Sequence, residues 1–579
     1  MQCKKSTLTR SLLNSAMIAM VLVLAVGAVA ATPDTLKKPI VTFSGAPTSA
    51  PDLSTFTVTA TDESESGKSA TITATGSCTV PPDSTGGAVT VTLTKSTGSC
   101  TVKASWAADA TYAAATLSQK TTAKIGYTES VIYPFLTGTS NPDGINPDCN
   151  GLVMDKLGNL YGNTFSDGGT NAGNSAGTVF KLTPAEGGGW TETVLYVFNG
   201  LSTGFNGFQP CGTLAFDSKG NLYGTTVSGG EYGLGTVYEL TPAKTGYWTA
   251  TSIYSFKGGS TDGFWPVAGV TLGNTTGTVL YGTTTCGGTG VLSDEGDECV
   301  VNQVPTGAGT VYELTYTAAT KTTKGYWTEA ILHNFTGNGD GTHKGWNVDG
   351  WDPEGGLLFK NGNLYGVTQA GGGLAQDGTT TTYTPGGVVF GLTPKSGSWD
   401  FNVLYNFGAT FSDGYRPVHV TPVMDTAGNL YGTTAYGGTA AATFPGYGTV
   451  WELLLKDGAY SETLLYSFGT NPADGWNPNW GIVPYKTGWY GANNPCVGED
   501  SCVGSPGGTA FELTYSAATG WQETILYQFT GMTAGSLDVA EPGNNQLIVD
   551  TKGNLYGMGP FALTGNSAQY GGVYEISAK

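Results

Sequence analysis

The chain has 579 residues, of which 90 are glycine, and it is 39% hydrophobic, 11% aromatic and only 12% charged. This composition excludes a coiled coil, a collagen and a highly charged disordered chain. Acidic residues outnumber Lys and Arg by 44 to 25, so the net charge of -19 argues against a nucleic-acid partner. Frequent glycines and aromatic residues favour an all-β protein with short strands, and the length favours several domains or a repeat array.

The first 30 residues are predicted to be a secretory signal peptide (1–30). A basic start precedes an uncharged apolar run, and Ala28-Val29-Ala30 supplies a small-x-small cleavage pattern. A membrane anchor is the alternative, but the run is short and Thr32-Pro33 follow at once. We therefore expect a secreted protein, extracellular, cell-surface or periplasmic, with no membrane span after signal removal. Residues 31–37 are expected to be a linker.

Nine cysteines are present, and Cys3 leaves with the signal peptide. The remaining eight are an even number, as disulfides in an oxidising compartment require. Metal binding is the alternative, but the chain has no Cys-x-x-Cys and only three His. The expected pairs are Cys78 with Cys100, Cys149 with Cys211, Cys286 with Cys299, and Cys496 with Cys502.

Residues 38–124 alternate in short Thr/Val/Ala runs such as Thr55–Ala60 and Val89–Leu93. A period of two over about 85 residues predicts a small antiparallel sandwich. With Gly76-Ser77-Cys78-Thr79 and Gly98-Ser99-Cys100-Thr101, the region resembles a bacterial Ig-like domain. That resemblance implies a spacer or adhesion module.

Residues 126–579 form a repeat array. The phrase Gly-Asn-Leu-Tyr-Gly occurs seven times in full or degraded form, and its final glycines are Gly162, Gly224, Gly282, Gly366, Gly432, Gly491 and Gly557. Each repeat is expected to form four strands, A to D, with the phrase on strand B. Strand C resembles Gly-Thr-Val-Tyr-Glu-Leu-Thr, and strand D ends in an aromatic residue and a Phe.

The array begins and ends out of phase. A D-type strand at Ser130–Phe135 precedes any A strand, and the last repeat stops at its C strand, Gly572–Ile576. The first strand can therefore complete the last sheet, which shields edges that an open array would expose. The sequence thus predicts an all-β fold: a seven-bladed β-propeller of four-stranded blades, closed by the N-terminal strand and preceded by an Ig-like β-sandwich.

The Gly-Asn-Leu-Tyr-Gly-x-Thr and Gly-Thr-Val-x-x-Leu-Thr-Pro phrases resemble those of the GloVer (Gloeo/Verruco) tandem-repeat family, often described as "choice-of-anchor". The resemblance covers about 450 residues. It implies an exported bacterial surface protein, frequently tethered, with no activity to transfer. The chain has no recognisable C-terminal anchor, so attachment to the cell stays open.

Two motifs recur in the connections. The A–B turns place Asp first and Gly fourth, as in Asp155–Gly158, so these aspartates are expected to form turns rather than act in catalysis. The D–A connections carry Asp-Gly-aromatic-x-Pro on the face that also holds long B–C loops and the repeat cysteines. Candidate ligand-binding platforms are Phe208, Phe264, Trp351, Tyr415 and Trp476. Packing between blades is the alternative role of these aromatics.

Other chemical candidates are weaker. Gly173–Gly177 matches Gly-x-Ser-x-Gly but lacks the strand-to-helix context of a hydrolase elbow. His333 replaces a strand-D tyrosine, and His419 precedes an A strand and could face the central channel; His343 lies in a D–A loop. An acidic loop is a candidate calcium site, with a solvated loop as the alternative. Its residues are Asp294, Glu295, Asp297 and Glu298.

These features favour a secreted, non-catalytic surface or matrix protein that binds a glycan or protein on the loop-rich face. No catalytic residue and no cofactor is expected, calcium excepted. A glycan hydrolase or lyase using carboxylates over the channel is the second class. A purely structural array is the third.

Overall fold

The computed structural model describes residues 36–46, 49–51, 55–64, 68–94, 98–124, 126–135, 143–147, 151–166, 177–198, 207–243, 248–290, 299–301, 304–305, 307–337, 349–372, 374–376, 383–410, 412–439, 446–469, 475–494, 507–517, 520–530, 539–564, 567–569 and 571–578. The predicted signal peptide lies outside these ranges. The chain divides into two compact units, one reaching to Tyr127 and one spanning Thr128–Ser577. Across the described ranges, no helix is long and apolar enough to cross a membrane.

The N-terminal unit consists of two four-stranded sheets. In sheet order, the first contains Val41–Ser44, Thr55–Asp62, Gly87–Leu93 and Cys78–Thr79, and the second Ser49–Pro51, Ala115–Lys124, Gly98–Trp106 and Thr71–Gly76. Alternate residues point into one core that includes Val58, Val91 and Val102. The alternation follows from the period of two in a strand.

Within its described residues, the second unit contains seven four-stranded antiparallel sheets, which we number 1 to 7, with strands A to D in sheet order. They are, in order, Val153–Met154, Leu160–Thr164, Thr178–Pro184 and Trp190–Val197; Phe208–Phe216, Leu222–Ser228, Thr236–Pro242 and Trp248–Ser255; Thr271–Leu272, Val279–Thr284, Thr310–Thr317 and Tyr326–Asn334; Leu358–Lys360, Asn363–Thr368, Val388–Lys395 and Ser398–Asn406; Val423–Met424, Leu430–Thr434, Thr449–Lys456 and Ala459–Ser467; Val483–Tyr485, Gly488–Asn493, Thr509–Ser516 and Gly520–Gln528; and Ile548–Val549, Leu555–Gly559, Gly572–Ala578 and Tyr127–Pro134. Sheet 7 therefore takes its strand D from the beginning of the array.

Shorter elements occupy the connections. Two-stranded sheets pair Gly263–Phe264 with Cys286–Gly287, Val300–Val301 with Val304–Pro305, Leu374–Gln376 with Tyr383–Pro385, and Gly414–Tyr415 with Tyr436–Gly437. A three-stranded sheet contains Val539–Ala540, Phe561–Thr564 and Ser567–Gln569, and short 3-10 helices span Gly259–Thr261 and Pro542–Asn544. The all-β prediction is confirmed, together with repeated four-stranded antiparallel sheets.

The glycine that ends each strand-B phrase makes room for a ring on strand C. A Cβ on Gly432 would lie 2.3 Å from the Trp451 ring, and one on Gly162 would lie 2.7 Å from Phe180. Trp451 and Phe180 are fully buried. The phrase thus recurs because each sheet packs a large ring against its own strand B.

A second glycine, just before strand C, packs against a proline that lies at or shortly before the start of strand A of another sheet. The pairs are Gly177 with Pro210, Gly235 with Pro266, Gly309 with Pro353, Gly387 with Pro417, Gly448 with Pro478, Gly508 with Pro542, and Gly571 with Pro147. Six pairs join one sheet to the next along the chain. The seventh joins sheet 7 to the segment leading into sheet 1, and Trp190 packs on Tyr556 across the same junction, with ring centroids 5.9 Å apart.

Candidate functional site

In the Asp-Gly-aromatic-x-Pro segments, which link neighbouring sheets, the residue before proline has an unusual backbone conformation. That residue has a left-handed backbone, with φ of 52–61°, in all seven repeats. The seven residues are Asn146, Gln209, Trp265, Asp352, Arg416, Asn477 and Glu541. A left-handed backbone is unfavourable for a non-glycine residue. In Arg416, two hydrogen bonds offset this cost: its N–H donates to Gly386 O (2.7 Å) in the preceding repeat, and its carbonyl accepts from Ala435 N (2.9 Å).

The aromatic residues of these segments pair with the connection that follows strand B. Phe264 pairs with Cys286, and Tyr415 pairs with and stacks on Tyr436. Phe264, Trp351 and Tyr415 are only 2%, 5% and 0% exposed. Such burial leaves little ring surface for a ligand and favours the packing alternative for these three. Phe208 and Trp476 are half-buried.

The aspartates of the same segments accept hydrogen bonds from side chains of strand D. Tyr133 donates to Asp143 (2.5 Å) and Tyr254 to Asp262 (2.9 Å). His333 Nε2 lies 3.2 Å from Asp349 Oδ2, where the other sheets have a tyrosine hydroxyl. This histidine therefore takes the structural place of a tyrosine.

The A–B aspartates form turns. Asp155 accepts the backbone N–H groups of Leu157 and Asn159 (2.8 and 3.0 Å) and the hydroxyl of Tyr161 (3.0 Å). Burial alone would raise the pKa of Asp155, but its hydrogen bonds, led by that from Asn159, hold it below the ordinary value. An ionised, fully bonded carboxylate suits a turn rather than proton transfer.

A central cavity of about 170 Å³ lies where the segments that lead into the A strands meet. Six sheets contribute to its wall, and the polar and aromatic lining residues are Thr213, Thr271, Glu354, His419, Thr421, Trp480 and Gln546. Hydrogen bonds between sheets support this wall. For example, Thr225 donates to Ala268 O (3.1 Å) and Thr283 to Gly355 O (3.2 Å).

Three side chains give the cavity its chemical character. The His419 ring stacks on Trp480, with centroids 4.5 Å apart and planes inclined by 16°. Its Nε2 lies 3.9 Å from Glu354 Oε2, within ion-pair range but too far for a direct hydrogen bond. Its Nδ1 is buried with no hydrogen-bond partner within the described residues. Gln369 Nε2 donates a hydrogen bond to Glu354 Oε2 (2.9 Å). Gln369 Oε1 in turn accepts a hydrogen bond from the Arg416 guanidinium.

His419 also has a left-handed backbone, with φ of 53°. It stands two residues after Pro417, where Gly212 stands two residues after Pro210 with φ of 79°. Retaining a histidine where another repeat uses glycine costs about 1–3 kcal/mol. The chain thus holds this imidazole in the cavity against a backbone preference.

Two of the expected disulfides lie wholly within the described residues. Cys78 bonds to Cys100 and Cys286 to Cys299, with Cα separations of 5.2 and 5.3 Å. Cys211 is also disulfide-bonded, while its expected partner lies outside the described residues. Cys496 and Cys502 also lie outside the described residues, as do the acidic loop, His343 and most of the Gly-x-Ser-x-Gly segment. In the part that is described, no three His, Cys, Asp or Glu side chains form a metal-binding group.

Sequence reasoning pointed to His419 but not to Glu354, Trp480 or Gln546. These residues come from different repeats and match no recurring phrase. Their only shared signal is a position one to four residues after the proline of each D–A connection.

Residues 107–296 match the family model of the Gloeobacter/Verrucomicrobia repeat, which supports this repeat family for that part of the chain. No curated protein matches the chain.

Several solved structures show low similarity. An auxiliary nutrient binding protein from Bacteroides thetaiotaomicron is 10% identical, with coverage of 94% of this chain and 98% of that chain and a TM-score of 0.38. A similar protein from Bacteroides ovatus is 11% identical, with coverage of 94% and 98% and a TM-score of 0.31. An ulvan lyase is 10% identical, with coverage of 77% and 95% and a TM-score of 0.36. These scores are too low to transfer a fold or an activity.

Proposed function

We propose that this protein is an exported, non-catalytic bacterial surface or matrix protein that binds an extracellular glycan in the central cavity. The observation that carries the proposal is the cavity wall, where Trp480, His419 and Glu354 converge from three different sheets. Pockets that combine aromatic surface with a few fixed polar groups are typical ligand sites, and an aromatic face with neighbouring hydroxyl, amide and carboxyl groups suits a sugar ring.

The proposed architecture is a signal peptide (1–30), an Ig-like sandwich (38–124) and a closed seven-bladed propeller (126–579). Closure is supported by strand Tyr127–Pro134 in sheet 7 and by the Gly571–Pro147 contact. A cavity lined by six sheets is expected when blades surround a central channel. The two disulfides support an oxidising compartment, and hence export.

A panel of neutral, amino and acidic polysaccharides tests this proposal. The purified chain is scored for retention on each polysaccharide and for release of soluble products. We expect retention without products, and Trp480→Ala should weaken it about tenfold, the effect of losing about 1.4 kcal/mol of stacking. Trp521→Ala is the matched control, because this half-buried tryptophan of strand D in sheet 6 packs on Tyr515 of strand C and does not line the cavity.

Equal retention by the wild type and Trp480→Ala would exclude the cavity as the site. Released products would instead support the second function, a glycan-active enzyme, which the His419–Glu354 pair favours because an imidazole beside a carboxylate can transfer protons. Neither retention nor products across the panel would leave the structural array as the better explanation.

A further inference from the structure

Carboxyl groups meet where the outer strands of neighbouring sheets pack together. We define an acid seam as a strand-D tyrosine of one sheet, the D–A aspartate that follows it, and the strand-D glutamate of the next sheet. Among the described residues, three sets fit this definition: Tyr133–Asp143–Glu192, Tyr254–Asp262–Glu329 and Tyr405–Asp413–Glu462. Each one spans a junction between two sheets.

In the Tyr254–Asp262–Glu329 seam, the aspartate accepts three hydrogen bonds. Asp262 accepts the Tyr254 hydroxyl (2.9 Å) and the backbone N–H groups of Lys257 and Gly263 (2.8 and 2.7 Å). The glutamate beside it receives no such support, because Glu329 Oε1 is buried without a hydrogen-bond partner among the described residues. In its own seam, Glu192 Oε1 is likewise buried without a hydrogen-bond partner among the described residues. A buried carboxylate without donors is costly, and a neighbouring carboxylate adds repulsion.

The groups that face each glutamate are few. Asp143 and Tyr133 face Glu192, and Asp413 and Tyr405 face Glu462. Asp262, Tyr254 and Tyr312 face Glu329, together with Lys257, the one cation among these groups. The unpaired Oε1 atoms of Glu192 and Glu329 therefore favour a neutral glutamic acid over a carboxylate, and Glu462 occupies the equivalent strand-D position, opposite Leu453, in sheet 5.

The pKa values follow the same direction. Burial first, and then Asp143, raises the pKa of Glu192 to about 8. Burial and Asp262 raise the pKa of Glu329 to about 7, with Lys257 opposing them. Burial and Asp413 likewise raise the pKa of Glu462 to about 7.

The junction between sheets 3 and 4 has an aspartate but no strand-D glutamate. His333 replaces the tyrosine beside Asp349, and Phe401 stands where the seams have glutamate. The two rings stack with centroids 3.7 Å apart and planes inclined by 7°. At this junction a histidine joins the aspartate, and an aromatic ring replaces the second carboxyl group.

We propose that the acid seams form a pH-sensitive device in which protonated Glu192, Glu329 and Glu462 hold neighbouring sheets together more firmly in acid than in alkali. The sign follows from linkage. A carboxyl whose folded pKa lies above its unfolded value adds stability that is complete below the unfolded pKa and is lost as the pH rises through the folded pKa. The stabilisation should therefore decline between about pH 4.5 and about pH 8.

Thermal unfolding of the full chain across this range provides the test. The wild-type Tm should fall by several degrees between about pH 5 and about pH 9. The triple variant Glu192→Gln, Glu329→Gln, Glu462→Gln should keep a higher Tm at the alkaline end and a flatter profile, because glutamine is a neutral isostere of the protonated acid. Glu186→Gln changes an exposed glutamate and should follow the wild type.

Proton release on unfolding supplies a second measurement that does not depend on the triple variant. Unfolding the wild type in denaturant near neutral pH should release protons, and each single glutamine variant should release fewer. A wild-type Tm that is constant or rises with pH, no proton release, or a triple variant with the wild-type slope would each overturn the proposal.

Discussion

The contact between Gly571 and Pro147 joins the last sheet to the first and offers a direct probe of closure. Gly571 has φ of +107°, and a Cβ there would lie 2.2 Å from Pro147 Cδ and 2.9 Å from Gly559 O. Gly571→Ala therefore forces the junction to open or the backbone to shift. Neither neighbour is the flexible end of a long side chain, so relief by rotamer change is not available.

Two effects determine how much stability Gly571→Ala should lose. A left-handed backbone costs an alanine about 1–2 kcal/mol, and overpacking a tight contact costs about 1–3 kcal/mol. We expect Gly571→Ala to lower the free energy of unfolding by about 2–5 kcal/mol. Gly188→Ala is the matched control, because Gly188 has φ of +98° and no atom within 4 Å of its Cβ position. It should show only the backbone cost.

Denaturant unfolding measures both variants, and hydrogen exchange locates the effect. In Gly571→Ala, the amides of Tyr127–Pro134 and Gly572–Ala578 should exchange faster, because these strands lie beside the altered junction. Strands of sheet 4 should be unaffected. Equal losses in the two variants, or uniform exchange, would refute the reasoning that this contact closes the array.

Two further predictions concern groups inside the sheets. The Tyr312 hydroxyl is buried and has no hydrogen-bond partner among the described residues. Tyr312→Phe should therefore leave the free energy of unfolding unchanged or raise it by about 1 kcal/mol. If denaturant unfolding instead shows the free energy of unfolding to fall by more than about 1 kcal/mol, this hydroxyl makes a hydrogen bond. Burial alone would raise the pKa of Asp425, but hydrogen bonds from Asn429 and Tyr431 lower it, so its stabilisation is present above the ordinary carboxyl pKa and is lost as pH falls. Asp425→Asn should therefore lower the Tm near neutral pH and reduce its fall below about pH 4, and an unchanged acid limb would contradict this assignment.

The four-stranded sheets were accessible from sequence because their determinants are local and repeated. Every copy of the strand-B phrase contains the glycine that admits the strand-C ring. Every copy except that of sheet 6, which has Trp489, also contains a buried leucine, so the copies specify similar packing. Boundaries were less accurate: strand D of sheet 7 begins at Tyr127, three residues before the predicted start. The outer strand gains these residues by pairing, which a period of two does not reveal.

The D–A aromatics show why recurrence is ambiguous. Phe264 and Tyr415 are buried at junctions between sheets, yet a ring of binding platforms would give the same recurrence in sequence. Burial depends on how far the B–C connection folds back over each ring, and that distance is not written in either motif. Sequence therefore identified the recurring positions but could not assign their role.

Departures from the repeat carry different information. His419 occupies a left-handed position beside a proline that a glycine could fill without strain, and Trp480 covers one of its faces. Neither residue is needed to build a sheet, because the other repeats form their sheets without them. Since a repeated scaffold must satisfy the same packing in every copy, a strained residue found in a single copy is better explained by the cavity it lines than by the sheet it precedes. The same reasoning separates Glu354, which occurs once in the cavity, from the seam glutamates, which recur at the junctions and belong to the scaffold.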